Sequence, residues 1–335
     1  MLDFPLVVLT NRTFPETRLV FEGRAHVVAN DGTEPWPAHR LLEQAREASG
    51  LMAFMTDRID AGFLDACPKL RIIGAALKGY DNIDIEAAAQ RGVMVTIVPD
   101  LLTEPTAELA IGLAIALGRR VLEGDALIRH GTFTGWRPSL YGVGLHGSTI
   151  GILGYGKVGQ AIARQLSGFG CSILASDAQP IAGISSRVTI VPPEQLLAVS
   201  DLVFLALPLT DATTGIIGAA ELARMKAGAL LINPARGSLV DESAIADALE
   251  SGHLGGYAAD VFAFEDWARA DRPQRIDERL RQPCARTVLT PHIGSATVSA
   301  RRLIEGAAAR SIVQGLMGEI PQGLVTPPNR LREPS

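Results

Sequence analysis

Thr149-Ile150-Gly151-Ile152-Leu153-Gly154-Tyr155-Gly156-Lys157-Val158-Gly159, an Ala/Ile/Leu-rich run, and then Cys171-Ser172-Ile173-Leu174-Ala175-Ser176-Asp177 make the stretch that decides the fold. Its order is strand, glycine-rich turn, helix, strand, acid. In a dinucleotide fold Gly154 makes the tight turn, Gly156 lets backbone approach a pyrophosphate, and Gly159 lets the helix pack on the strand. The helix that begins there aims unpaired N–H groups and its positive dipole end at the phosphates. Asp177 lies 18 residues beyond Gly159, at the end of the second strand, where a carboxylate accepts both ribose hydroxyls. Such a carboxylate repels a 2′-phosphate, and no Lys or Arg follows it before Arg187, so NAD is favoured over NADP. Lys157 in the loop is compatible with either.

With 335 residues, 47% hydrophobic and 20% charged, the chain is long enough for two domains. A net charge of −5 without a basic stripe argues against nucleic acid as a partner. Cys67, Cys171 and Cys284 have no CxxC spacing, which predicts reduced thiols and no structural metal. Met1-Leu2-Asp3-Phe4-Pro5 lacks a basic n-region, and no apolar run reaches membrane-spanning length. The expectation is a soluble, cytoplasmic protein.

Working outward, the first hundred residues alternate short apolar runs (Leu6–Thr10, Ala25–Asn30, Leu51–Met55, Ile72–Leu77, Val93–Val98) with helical stretches such as Ala38–Ala48 and Ile83–Arg91. That rhythm predicts a parallel α/β unit without a phosphate fingerprint, separate from the one around Gly154. Thr103-Glu104-Pro105-Thr106 opens a long helix. After Asp177, Asp201–Leu207, Ala229–Asn233 and Gly256–Val261 are continuous apolar runs, as in strands buried on both faces, and Val288–Thr290 follows. A helical segment from Thr297 to Met317 returns to the first domain. The predicted organisation is substrate domain over 1–100, Rossmann NAD-binding domain over 101–294, and the rest of the substrate domain over 295–335.

Three polar residues each follow a predicted strand, at the carboxyl edge where open α/β sheets bind ligands: Arg236, Glu265 and His292. Together they supply an anion clamp, a titratable base and a carboxylate to orient that base. Singly, each has a plain reading as turn, solvated surface or capped core residue. Lys78, set between Ala-Ala-Leu and Gly79-Tyr80, is a poor fit to an ordinary surface lysine and points to an anion site with the neighbouring amides.

The segments Leu207-Pro208-Leu209-Thr210, Asn233-Pro234-Ala235-Arg236-Gly237, Ala259-Asp260-Val261-Phe262 with Glu265, and Pro291-His292-Ile293-Gly294 closely resemble the D-isomer-specific 2-hydroxyacid dehydrogenases, in the same order and over nearly the whole chain. The resemblance implies two doubly wound parallel-sheet domains, a central Rossmann NAD domain and a flavodoxin-like substrate domain formed from both chain ends. It assigns Arg236, Glu265 and His292 to catalysis. Around the loop glycines it places Thr106, Lys157, Val158, Asp177, Pro208, Ala235, Asp260, His292 and Gly294 against the cofactor. It also implies a homodimer, with a Leu113–Gly131 helix and the Trp136–Leu145 loop as interface elements.

Within that superfamily the sequence looks closer still to the phosphonate dehydrogenases, which oxidise phosphite to phosphate with NAD. The stretches that carry this are Leu51–Arg58, Leu77–Asn82, Gly135-Trp136-Arg137-Pro138 with Tyr141-Gly142, Glu265–Pro273, and Arg301. A small phosphite dianion needs added positive charge and close N–H donors. The resemblance gives that task to Lys78, Gly79, Arg236 and Arg301, makes His292 with Glu265 the base for the attacking water, and makes Met55, Trp136 and Tyr141 pocket walls. Oxidation of phosphite is therefore the first expectation. A 2-hydroxy or 2-keto acid such as glyoxylate or hydroxypyruvate is the second, and a non-enzymatic NAD-sensing corepressor on the same fold is the third.

Overall fold

The structure, a computed structural model, describes residues 4–98, 100–179, 185–266, 269, 271–282 and 286–327. Trp267, Ala268, Ala270, Cys284 and the end of the Pro-rich tail lie outside them. The described residues form two compact units, one within Met1–Leu102 and Ser295–Ser335 together with Arg269, the other within Thr103–Asp266 and Asp271–Gly294.

In the first unit, β1 (Leu6–Leu9), β2 (His26–Ala29), β3 (Gly50–Ala53), β4 (Ile72–Ala75) and β5 (Met94–Thr96) form a parallel sheet in the order β2-β1-β3-β4-β5. The order reverses between β1 and β3, the kind of switch point at whose carboxyl side open α/β sheets bind ligands. β3 and β4 are buried along their whole length, because helices cover both faces. One cover is the Val298–Leu316 helix, whose Ile304, Ala308, Ala309 and Ile312 pack on Val7, Leu9, Met52 and Ile72. A Cβ at Gly74 would lie 2.5 Å from Ile312 and 2.8 Å from the Ala308 carbonyl, so only glycine in β4 lets this helix sit so close.

In the second unit, β6 (Thr149–Leu153), β7 (Ser172–Ser176), β8 (Val188–Ile190), β9 (Leu202–Leu205), β10 (Leu230–Asn233), β11 (Gly256–Ala259) and β12 (Thr287–Leu289) are parallel in the order β12-β11-β10-β9-β6-β7-β8. Strands on one side of β6 run down the sequence and those on the other side run up it, which is the dinucleotide-binding arrangement with its switch point between β6 and β9. The Thr103–Gly118 helix packs on the Lys157–Leu166 helix through Ala107, Ala110 and Ala114 against Ala161 and Ile162. Small residues on both faces permit the close approach.

Both sheets have the expected parallel α/β form, and most strands end one or two residues inside the apolar runs that predict them. β4 stops at Ala75, so Lys78 stands in the following loop and not at the strand end; Ala76 N still donates to Ala53 O (2.9 Å) before the chain turns. The expected Leu113–Gly131 helix is two helices, Thr103–Gly118 and Val121–Arg129. The chain at Val143 crosses Gly118 backbone to backbone, takes its carbonyl (2.9 Å), and leaves Arg120 left-handed at φ 52°. The Val121–Arg129 helix has no buried residue and exposes Val121, Leu122, Leu127 and Ile128. Among the described residues no helix is long and apolar enough to cross a membrane.

Candidate active site

The glycine loop is shaped for an anion. Gly154 has φ +93°, and a Cβ there would lie 2.5 Å from the Ala206 carbonyl at the end of β9, which closes the turn to any L side chain. A Cβ at Gly159 would lie 2.2 Å from the Gly154 carbonyl, so the helix packs directly on the turn. At Gly156 a Cβ would meet no protein atom within 4 Å, and no side chain caps the Lys157–Leu166 helix. Its first-turn amides are thus left facing open space, as a pyrophosphate requires. The Asp177 carboxylate closes the site at the end of β7: Oδ2 accepts from Tyr155 N (2.7 Å) and Oδ1 from Gln179 N (2.9 Å). These bonds fix the acid to the loop and leave its remaining lone pairs for ribose hydroxyls. The chain therefore fits a nicotinamide dinucleotide, with Lys157 and Val158 in the helix's first turn and Pro208 just past β9.

Three strand-end loops carry the titratable groups. At β10, the fully buried Asn233 donates from Nδ2 to Arg236 O (2.8 Å) and accepts from Ala235 N (3.1 Å), which folds the Pro234–Arg236 turn around its side chain. Arg236 is half-buried and donates from Nη1 to Ala235 O (2.8 Å). The next residue, Gly237, has its backbone against Phe262 and Ala263, where a Cβ would come within 2.0 Å of Ala263 N. Asp266 locks that contact by accepting from Ser238 N (2.7 Å).

At β11 and β12 the arrangement is built around His292. Its Nδ1 lies 2.9 Å from Glu265 Oε2, and the other oxygen of Glu265 accepts from Phe262 N (2.7 Å). A carboxylate only accepts, so this contact is one in which the ring donates through Nδ1. His292 has φ +54°, a left-handed conformation rare outside glycine, and Asp260 maintains it. The Asp260 carbonyl accepts from His292 N (2.8 Å), while its carboxylate accepts from Thr290 Oγ1 (2.6 Å), Ile293 N (2.8 Å) and Gly294 N (2.7 Å). Asp260 is 1% exposed, and burial pushes its pKa upward against those hydrogen bonds. Expected beside the cofactor, it has its carboxylate committed to the histidine loop. Gly294 faces Thr106, whose Oγ1 would lie 3.4 Å from an added Cβ.

In the first unit the carboxyl edge of β3 and β4 gathers Met55, Lys78, Gly79 and Arg301. The Phe54–Asp57 turn, which carries Met55, is fixed from beneath: Asp57 accepts from Phe54 N (2.7 Å) and from the Thr10 hydroxyl. Asn82 donates to both Phe54 O (3.0 Å) and Asp57 O (2.6 Å), tying this turn to the loop of Lys78 and Gly79. Arg301 stacks on Phe54 at 5.6 Å and donates to Ala76 O (3.4 Å).

The second unit thus assembles Arg236, Glu265 and His292, and the first unit assembles Met55, Lys78, Gly79 and Arg301. Trp136 and Tyr141, expected as pocket walls, stand 78% and 74% exposed on an irregular segment; no strand or helix of their own unit covers them. Sequence reading passes over Asn233, Asp266, Asn82, Asp57 and Glu305, whose work is to satisfy loop backbone or a neighbouring charge. Asn233, Asp57, Asn82 and Asp266 lie within the segments that carry the family resemblance, but nothing in their spacing marks the task of each.

The family model of the D-isomer specific 2-hydroxyacid dehydrogenase NAD binding domain matches residues 111–294. A glyoxylate reductase of Thermococcus litoralis is 41% identical over 296 residues, covering 86% of this chain and 87% of that protein. One from Pyrococcus furiosus is 38% identical over 333 residues, covering 96% and 95%. Among solved structures, an NADPH-dependent glyoxylate/hydroxypyruvate reductase from Sinorhizobium meliloti, in complex with NADP and malonate, superposes with a TM-score of 0.84 at 27% identity, covering 99% of each chain.

Proposed function

The chain is an NAD(P)-dependent oxidoreductase of the D-isomer-specific 2-hydroxyacid dehydrogenase family, and we propose that it interconverts a small 2-oxo acid of the glyoxylate or hydroxypyruvate kind with its 2-hydroxy acid. The observation that carries this reading is the Glu265–His292 pair at 2.9 Å on a histidine held left-handed. Relatives named glyoxylate reductase supply the substrate class. When bound, the reduced nicotinamide supplies the hydride for C2. His292 Nε2 gives its proton to the 2-oxygen as the carbonyl electron pair moves there, and the ring is left neutral. Glu265 holds Nδ1–H throughout and stabilises the imidazolium that starts the step. Arg236 meets the negative charge of the substrate and of its developing alkoxide. Lys78, the Gly79 amide and Arg301 hold the carboxylate, and Met55 excludes water. Asp177 favours NAD over NADP. The exposed Val121, Leu122, Leu127 and Ile128 are assigned to a homodimer contact.

A second reading, oxidation of phosphite to phosphate with water as nucleophile, is favoured by one feature: Lys78 and Arg301 bring two cations to the loops after β3 and β4. Purified protein is assayed for NADH and NADPH consumption with glyoxylate and hydroxypyruvate, and for NADH formation with phosphite and with D- and L-2-hydroxy acids. Turnover of the 2-oxo acids, lost in His292→Ala, supports the first reading. NADH formation with phosphite alone overturns it in favour of the second. Cofactor binding with no turnover of any acid overturns both and leaves a sensor.

A further inference from the structure

Glu305 is a buried carboxylate that neither reaction uses. It lies in the Val298–Leu316 helix, 3% exposed. Its Oε2 accepts from Phe14 N (3.0 Å) and Thr17 Oγ1 (3.2 Å), and its Oε1 faces Arg301 Nη2 at 3.4 Å, one helical turn away. Neutral donors need only a neutral acceptor; a full negative charge held out of water is justified by the guanidinium above it. That guanidinium is in turn fixed on its other sides by the Phe54 ring (5.6 Å) and Ala76 O (3.4 Å), next to Met55 and two residues short of Lys78.

We propose that Glu305 is a positioning residue that fixes Arg301 between the loops after β3 and β4 and offsets its charge, so that this edge discriminates in favour of monoanions over dianions. The inference rests on the reading that Arg301 meets the substrate anion. Restrained on three sides, Arg301 acts as an oriented donor set, suited to a planar carboxylate. Its Coulomb pull on a second negative charge is weakened by the carboxylate behind it. Removing that carboxylate adds one positive charge to the site, and a dianion gains from it twice as much as a monoanion.

Oxamate and oxalate, nearly equal in shape and differing by one charge, measure this directly. Their dissociation constants are determined by calorimetry on the cofactor-loaded protein, and as inhibition constants against the 2-oxo acid. Glu305→Gln should tighten oxalate relative to oxamate by about fivefold, the effect of a unit charge at roughly 8 Å and an effective dielectric of about 40. Glu305→Met, a second neutral variant of similar volume, should do the same. Thr17→Val, which disturbs the same contact without changing charge, should leave the ratio within about twofold of wild type. A ratio unchanged in whichever neutral variant folds overturns the proposal, as does an equal change in Thr17→Val. Arg301→Gln separates the two layers. If it alters neither ligand, the reading of Arg301 as an anion contact fails; if it weakens both while Glu305→Gln leaves the ratio alone, only the role of Glu305 fails.

Discussion

Replacing Glu265 by glutamine tests the chemistry with the least disturbance to the fold. Glutamine keeps a carbonyl oxygen for Phe262 N, the partner of Glu265 Oε1 at 2.7 Å. What changes is the atom facing His292 Nδ1 at 2.9 Å, where an amide N–H₂ replaces a carboxylate oxygen. Two donors then meet, so the ring must either present Nδ1 as an acceptor or turn away, and it loses the anion that stabilises its protonated form. A hydrogen bond to a charged group contributes about 1.5–3 kcal/mol. The two side chains are 31% and 20% exposed, so solvent screens part of this and about 2 kcal/mol remains. That corresponds to a roughly thirtyfold fall in kcat/KM. The assay is NADH consumption with glyoxylate alongside NAD reduction with the hydroxy acid. Both directions should fall by the same factor, since the overall equilibrium is untouched. A variant that melts like wild type and keeps kcat/KM within threefold of it, on the roughly thirtyfold scale expected, would refute the catalytic role of the pair.

Asp57 should make the protein less stable as pH rises, because burial lifts its folded pKa to about 6 from 3.8. Its contribution is full below the unfolded pKa and is lost as pH rises through the folded one, about 3 kcal/mol in all. Asp57→Asn should remove that slope between these two pKa values in a melting-temperature series, and parallel slopes would count against it. Gly154→Ala and Gly156→Ala should separate folding from cofactor affinity. The first places a Cβ 2.5 Å from Ala206 O at φ +93° and should lower both, whereas the second meets no protein atom and should lower NADH affinity alone. Unchanged NADH binding by Gly156→Ala, followed by fluorescence, would remove the loop from the cofactor site. Ile312→Ala empties the contact between the Val298–Leu316 helix and β4 and should cost about 3 kcal/mol in urea unfolding. A loss under about 1 kcal/mol would mean that this helix is not a structural cover of the sheet.

Periodicity and punctuation made the two parallel sheets legible, because strands buried on both faces are written as unbroken apolar runs such as Leu202–Leu205 and Leu230–Ile232. The glycine loop was legible because each glycine answers a separate steric demand. Arg236, Glu265 and His292 could be chosen as candidates because each follows a strand. The helix break at Arg120 was not legible: it depends on Val143 crossing Gly118, a contact between residues 25 apart along the chain. The exposure of Trp136 and Tyr141 was hidden for a related reason, since it depends on which elements of the folded unit run past their segment.

Buried and half-buried acids explain how strand-end loops can be both irregular and rigid. A loop at the carboxyl edge of a sheet leaves amides that no strand can accept, and each unpaired one costs about 1–3 kcal/mol if buried. Asp260 takes Ile293 N and Gly294 N, Asp266 takes Ser238 N, Glu265 takes Phe262 N, and Glu242 takes Ala263 N at 2.8 Å. Each carboxylate therefore fixes a loop bearing a catalytic candidate without adding side-chain bulk where the ligands must enter. The same solution concentrates negative charge behind a site that must attract an anion: burial pushes the pKa values of Asp260 and Glu242 upward, and the charges of Asp277 and Asp266 push that of Glu242 further the same way. A cation at the mouth is then an electrostatic necessity as well as a recognition element. We propose Arg236 for that place, on the turn that Asn233 and Asp266 hold through its backbone and that of Ser238. Its substitution by a neutral residue should weaken anion binding by more than one lost hydrogen bond, because the acids behind it would face the substrate uncompensated.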